Sequence, residues 1–198
     1  MTTALLASTY FGPIQWYQKL LRYEQCLIDA DERWVKQSWR NRCDIATATG
    51  KQSLSIPVVH ATAQPLREIR ISDHGNWQRT HWHALEAAYG ESAFFEYYAD
   101  DLRPFFERPY TWLIDLNTET TAKICELLEI ETPQIAREPA SCDDFRRVIS
   151  PKHPLPDAQF QSQPYYQVFA QKTGFLPNLS ILDLLMNCGN ESVKWLKT

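Results

Sequence analysis

Residues 36–43 read KQSWRNRC and place Lys36, Arg40 and Arg42 within seven residues, beside Trp39 and Asn41. Cations so closely spaced suit a ligand with several anionic oxygens, such as a diphosphate or a carboxylated sugar. The planar guanidinium fork binds such groups two oxygens at a time. On an extended chain Lys36, Ser38, Arg40 and Arg42 share one face, with successive positions on it roughly 7 Å apart. On a helix only Lys36 and Arg40 stack. A competing reading is a solvated face, in which Asp29, Asp31 and Glu32 just upstream neutralise the cluster. Cys43 beside Arg42 is either a thiol of lowered pKa or a buried apolar residue.

Two further stretches carry chemistry. In NWQRTHWHALEAAY, His81 lies on a helical stripe with Trp77, Leu85 and Ala88. It is either a hydrogen-bonded core group or a general acid–base at a cleft edge. His81 and His83 share a face only on a strand, which argues against a metal pair, and no metal is expected. In STYFGPIQWY, an apolar strand empties through Gly12-Pro13 into a helix. That is a common ligand position in α/β folds, with Tyr10 and Gln15 as the polar contacts; an aromatic packing corner is the alternative. The stretch contains no G-x-G-x-x-G and no phosphate-loop motif, and no cofactor is assigned.

The elements that must position these residues follow from periodicity. ALLASTYF reads as a buried first strand, PIQWYQKLLRY as a helix with Pro13 in its first turn, and QCLIDAD as a second strand. Strand, loop, helix, strand opens an α/β sheet, with residues 3–11 and 25–30 as neighbouring parallel strands. Residues 43–59 alternate and turn at Thr49-Gly50, a hairpin. LREIRIS and PQIA are further strand candidates. Residues 73–107 carry two helical stretches, and NTETTAKICELLEI a third. Ser180 and Asp183 form an S-x-x-D cap at the head of a C-terminal helical segment, with Leu179 and Leu184 as its hydrophobic staple. The expected fold class is α/β, Rossmann-like: a mostly parallel central sheet with flanking helices and a β-hairpin, plus that C-terminal helical segment. Residues 1–198 are expected to form one domain. Within it residues 133–164, rich in proline, form a covering segment too short for a core of its own.

Composition bounds the partners. The 198 residues carry a formal charge of −4, which argues against general nucleic-acid binding. No apolar run is long enough to span a membrane, and no signal peptide is evident. Five scattered cysteines without C-x-x-C suit reduced thiols in the cytoplasm. Seven Trp, nine Tyr and nine Phe supply stacking surface.

The blocks STYFGPIQWYQKLL, LIDADERWVKQSWRNRCDI and GKQSLSIPV together resemble the WbqC-like protein family. That family opens with a strand, a Tyr-x-x-Pro loop and a helix, followed by a strand with an acidic end, an Arg-Asn-Arg stretch and a hairpin. HWHALEAAYGESAFFEYY and QVFAQKTGFLPNLSILDLLMNCG fit its later blocks. The matching positions are Tyr10, Pro13, Arg40, Asn41, Arg42, His81, Trp82 and Tyr89. One departure is at the start, where many members have Gln-Pro-x-Tyr-x-Pro-Trp and this chain has Ser8-Thr9-Tyr10-Phe11-Gly12-Pro13-Ile14.

Members often sit in gene clusters for O-antigen or other surface polysaccharides, and no reaction carries over. Two readings are compatible with the resemblance, and the first is an enzyme, of the transferase kind, modifying a sugar or activated sugar. His81 and Tyr10 would be its catalytic pair. Lys36, Arg40, Asn41, Arg42, Trp82, Tyr89 and Gln15 would hold a small anionic ligand: a nucleotide sugar, sugar acid or acyl donor. The alternative is a non-catalytic binding or scaffolding protein of a polysaccharide assembly system. A pocket shared by His81, Tyr10, Arg40 and Arg42 would favour the enzyme.

Overall fold

The computed structural model describes residues 2–137, 139 and 141–197. Its centre is a four-stranded, wholly parallel sheet. β1 (Thr3–Leu6) pairs with β2 (Gln25–Ile28) in the register Ala4 to Cys26 and Leu6 to Ile28. Ala4, Leu5 and Leu6 are fully buried, which is why this strand reads as a continuous apolar run without alternation. Between the strands runs α1 (Ile14–Arg22). Its first free N–H groups are satisfied from the far end of the chain: Ile14 N donates to the Leu179 carbonyl and Gln15 N to Asn178 Oδ1.

A separate antiparallel hairpin follows, β3 (Arg42–Thr47) with β4 (Gly50–Ser55). The aromatic-rich middle forms α2 (Trp77–Tyr89), α3 (Phe95–Leu102) and α4 (Leu113–Leu128). α4 begins four residues before the polar stretch that reads as its start. LREIRIS does not form a sheet strand. It is a short 3₁₀ turn at Leu66–Glu68, followed by isolated bridges from Arg70 to Trp112 and from Ile71 to Val58.

The sheet is completed by two very short edge strands, β5 (Gln134–Ile135) beside β2 and β6 (Asp143–Asp144) beside β1. Both lie in the proline-rich residues 133–164. The same stretch grips α1 through a buried ion pair, Lys19 Nζ to Asp157 Oδ2 at 2.6 Å, with Gln15 Nε2 donating to the same carboxylate at 2.8 Å. The C-terminal segment is helical: α5 (Ala170–Thr173), α6 (Ile181–Cys188) and α7 (Ser192–Leu196). Ser180 caps α6, accepting from Leu182 N at 3.2 Å. Asp183 does not close a box with it; its carboxylate turns into the core. No helix among the described residues is long and apolar enough to cross a membrane.

Candidate functional site

The strand order β5-β2-β1-β6 means that the chain leaves β1 for β2 on one side and later returns to β1's other side as β6. A parallel sheet opens a crevice beyond its carboxyl edge at such a reversal. Here the loop after β1, residues 7–13, is held under strain. Phe11 has φ of 43°, and its carbonyl accepts from Ser180 Oγ at 2.7 Å. Gly12 must be glycine, because a Cβ there would meet Thr9 Oγ1 at 2.4 Å. The loop is further fixed by Tyr10 N donating to the Trp39 carbonyl at 2.9 Å.

Beside that loop lies a crevice of about 570 Å³, walled by chain leaving β2 and β6. Arg33, Arg40, Arg146 and Arg147 line it, with Ser38, Ser150 and His153; among the described residues the carboxylates lining it are Glu32 and Asp144. Four guanidinium groups against these two carboxylates and Asp29, 3.8 Å from Arg146 Nη1, leave a net positive cavity in an acidic protein. Arg40 is buried on its wall and forms a two-point pair with Glu32, Nε to Oε1 at 3.0 Å and Nη2 to Oε2 at 2.5 Å. Burial pushes the Glu32 carboxyl above its ordinary pKa, and Arg40 and the Ser8 N–H oppose that rise. Arg146 grips Asp144 from Nε at 3.0 Å and from Nη2 at 2.7 Å, which holds Asp144 below the usual carboxylate range. Arg33 and Arg147 are exposed at the mouth, and no ion pair joins either to a carboxylate among the described residues.

A second, smaller pocket of about 400 Å³ lies on the other side of the same segment. Lys36, Asn41 and Arg42 line it, with Trp34, Gln37, Ser55 and His60. Residues 32–42 thus form a wall between two basic cavities. The extended alternation expected for this stretch does not occur. Residues 36–41 are turns and bends, and Gln37 sits at φ of 55°, so Arg40 and Arg42 leave the backbone toward different cavities.

The remaining sequence-predicted residues line neither basic cavity. Tyr10 OH and His81 Nδ1 are 3.0 Å apart in the buried core. Burial raises the Tyr10 pKa, so its hydroxyl stays protonated and can donate to Nδ1. Burial lowers the His81 pKa to about 4. Gln15 is spent on Asp157 and on Asn178, whose Nδ2 donates to Gln15 Oε1 at 3.1 Å. Trp82 donates to Glu86 Oε1 at 2.7 Å, and Tyr89 OH to Asp183 Oδ1 at 2.8 Å. All five are engaged within the fold, Trp82 inside α2 and the other four between segments, and the structure does not bring Tyr10, His81, Arg40 and Arg42 into one pocket. Cys43 is buried and its thiol pKa is raised, the reverse of an activated thiolate.

The neutral His81 has a pH signature. Its folded pKa of about 4 lies below the ordinary 6.5. The unfolded chain therefore takes up a proton first as pH falls, and stability is lost progressively from about pH 6.5 to 4. The loss amounts to roughly 3 kcal/mol. His81→Asn keeps an acceptor for Tyr10 but does not titrate. Denaturant midpoints of the two proteins should therefore converge on acidification; a gap independent of pH contradicts a buried neutral histidine.

Arg33, Arg146, Arg147 and His153 were not evident as site residues. The one local signal is DDFRRV, two acids and two arginines around a buried Phe145. Among the described residues no cluster of His, Cys, Asp or Glu could hold a metal ion.

The WbqC-like protein family matches residues 8–148 and 156–195. The chain belongs to that family. The match takes in Arg33, Arg40, Arg146 and Arg147 and breaks at residues 149–155, so Ile149, Ser150, His153 and Leu155 on the crevice wall fall outside it. An uncharacterized Mycobacterium tuberculosis protein, Rv1507c, is 29% identical over 98% of this chain and 96% of its own length. No solved structure matches the chain.

Proposed function

We propose that this WbqC-like protein binds an anionic sugar precursor in the arginine-lined crevice and modifies it, as a transferase of surface-polysaccharide biosynthesis of the O-antigen type. The carrying observation is the convergence of four arginines on a cavity at the carboxyl edge of a parallel sheet, where its strand order reverses. That order also supports a Rossmann-like reading of the sheet. Arg33 and Arg147 reach the ligand first and take its phosphate or carboxylate oxygens. Arg40, pre-positioned by Glu32, supplies field from the wall. His153 is the general acid–base candidate by residue type and position. Tyr10 and His81 act as positioning residues that hold the β1 loop. The chain works as one domain, in which residues 133–164 supply both sheet edges and one wall of the crevice.

A second reading is a non-catalytic binder within a polysaccharide assembly system. It is favoured by one observation: the buried Tyr10–His81 pair opens onto neither basic cavity and so offers no acid–base group to a ligand.

A thermal-shift panel of nucleotide sugars, sugar acids and acyl donors tests the proposal. A ligand at a hundred times its Kd adds about 2.7 kcal/mol, on the order of 5–10 °C. Arg33→Ala and Arg147→Ala should each weaken that ligand roughly ten- to hundredfold with little change in the unliganded melting temperature. No response across the panel, or a response indifferent to both substitutions, contradicts it. Binding without turnover of any panel compound selects the second reading.

A further inference from the structure

We propose that the smaller pocket behind the wall is a separate binding site for a phosphoryl group. It is lined by Lys36, Arg42 and His60 together with Gln37, Asn41, Ser55 and Thr62, and no carboxylate among the described residues lines it. That sets it apart from the crevice, whose wall carries Glu32 and Asp144. Arg40, Arg103 and Arg108 pair with Glu32, Glu107 and Glu119, and Lys19, Lys51 and Lys194 pair with Asp157, Asp44 and Glu191. Lys36 and Arg42 have no carboxylate partner among the described residues. Two unneutralised cations facing one cavity repel each other, and an anion between them removes that repulsion.

The geometry is built rather than incidental. Arg42 opens β3 directly opposite Ser55 of β4, and its Nε donates to Ser55 Oγ at 3.3 Å. That bond fixes the guanidinium stem and leaves both terminal nitrogens for a ligand. Asn41 is locked at the same hairpin base: its Nδ2 donates to the Ile56 carbonyl at 2.8 Å, and its own carbonyl accepts from Ile56 N at 2.8 Å. Arg42 and Ser55 sit on paired strands, which hold side chains better than loops do, and Lys36 reaches the cavity from the turn beside them. Trp34 lines the pocket, is 7% exposed, and is held in place by its backbone N–H, which donates to the Gln64 carbonyl at 2.9 Å, so it offers a fixed aromatic wall beside the cations. The fork of Arg42 with the point charge of Lys36 matches a tetrahedral dianion better than a single carboxylate.

The site stands independently of the crevice, and the test separates them. Full-length protein carrying Arg33→Ala and Arg147→Ala, which removes the crevice's mouth, is titrated calorimetrically with inorganic pyrophosphate, inorganic phosphate and uridine diphosphate. Saturable binding should remain. Adding Arg42→Ala should weaken it about tenfold or more, and Arg42→Lys should fail to restore it. Pyrophosphate as tight as uridine diphosphate identifies a free phosphate source; tighter uridine diphosphate identifies a nucleotide. Absence of binding in the crevice-deficient protein at millimolar ligand overturns the proposal. So does binding that Arg42→Ala and Lys36→Ala leave unchanged while circular dichroism shows both variants folded.

Discussion

Glu32→Ala should destabilise the protein by roughly 3–5 kcal/mol, and part of that loss should be recoverable with an anion. The substitution leaves the Arg40 guanidinium buried without its partner, and an uncompensated buried charge costs far more than the intact pair contributes. Arg40 cannot relieve the cost by deprotonating. It lines the crevice, so an anion entering there can take the place of the missing carboxylate. The melting temperature of Glu32→Ala should therefore fall on the order of 10 °C in low-anion buffer and rise with added phosphate more steeply than that of the parent. Glu32→Gln, which keeps the shape and one acceptor, should fall between the two. Equal phosphate responses in parent and variant would show that Arg40 does not reach the cavity.

Asp183→Ala should produce a loss of similar size with no anion dependence. The Asp183 carboxylate is fully buried and accepts from Tyr89 OH at 2.8 Å, Tyr165 OH at 2.5 Å and Gln167 Nε2 at 2.9 Å. Burial raises its pKa and the three donors oppose the rise. Truncation strands the Tyr89 and Tyr165 hydroxyls at about 1–3 kcal/mol each, while Gln167 Nε2 keeps the Leu176 carbonyl at 2.9 Å, so roughly 2–5 kcal/mol follows. Tyr165→Phe should cost only about 1 kcal/mol, because the carboxylate keeps its other donors. Urea unfolding measures both. A loss below about 1 kcal/mol for Asp183→Ala would mean that the network does not hold α2 and α6 together. Tyr89→Phe should lower stability while leaving ligand affinity unchanged, because its hydroxyl faces Asp183 and not a cavity.

The sequence showed the parts of the fold that local patterns encode. β1 and β2 are legible because strands buried on both faces must be continuously apolar, and the hairpin because its turn falls at Gly50, φ 113°, where a glycine is needed. The edge strands are not equally legible. PQIA was found and Asp143–Asp144 was not, since two residues carry no period and their strand identity comes only from pairing with β1. The site failed to assemble as expected for a similar reason. Alternation along KQSWRNRC assumes an extended chain, and the left-handed residue Gln37 breaks it. Arg40 and Arg42 remain in cavities, but in two of them. The S-x-x-D pattern marks Ser180 as a cap, which it is, but pairs it with Asp183, whose carboxylate instead serves a tyrosine 94 positions away. The arginines at 146 and 147 lie in the proline-rich stretch, and only the sheet's third dimension places them opposite Arg40.

The central claim, an anionic ligand held at the carboxyl edge between the wall and β6, is tested most directly by following arginine side-chain Nε–H resonances in solution. Each of Arg33, Arg40, Arg42, Arg146 and Arg147 is assigned by its own Arg→Lys variant, and the ligand selected by the thermal-shift panel is titrated in. The account predicts saturable shifts of Arg33, Arg40 and Arg147 with one shared Kd. Shifts confined to arginines outside the crevice, or none at saturating ligand, would contradict it.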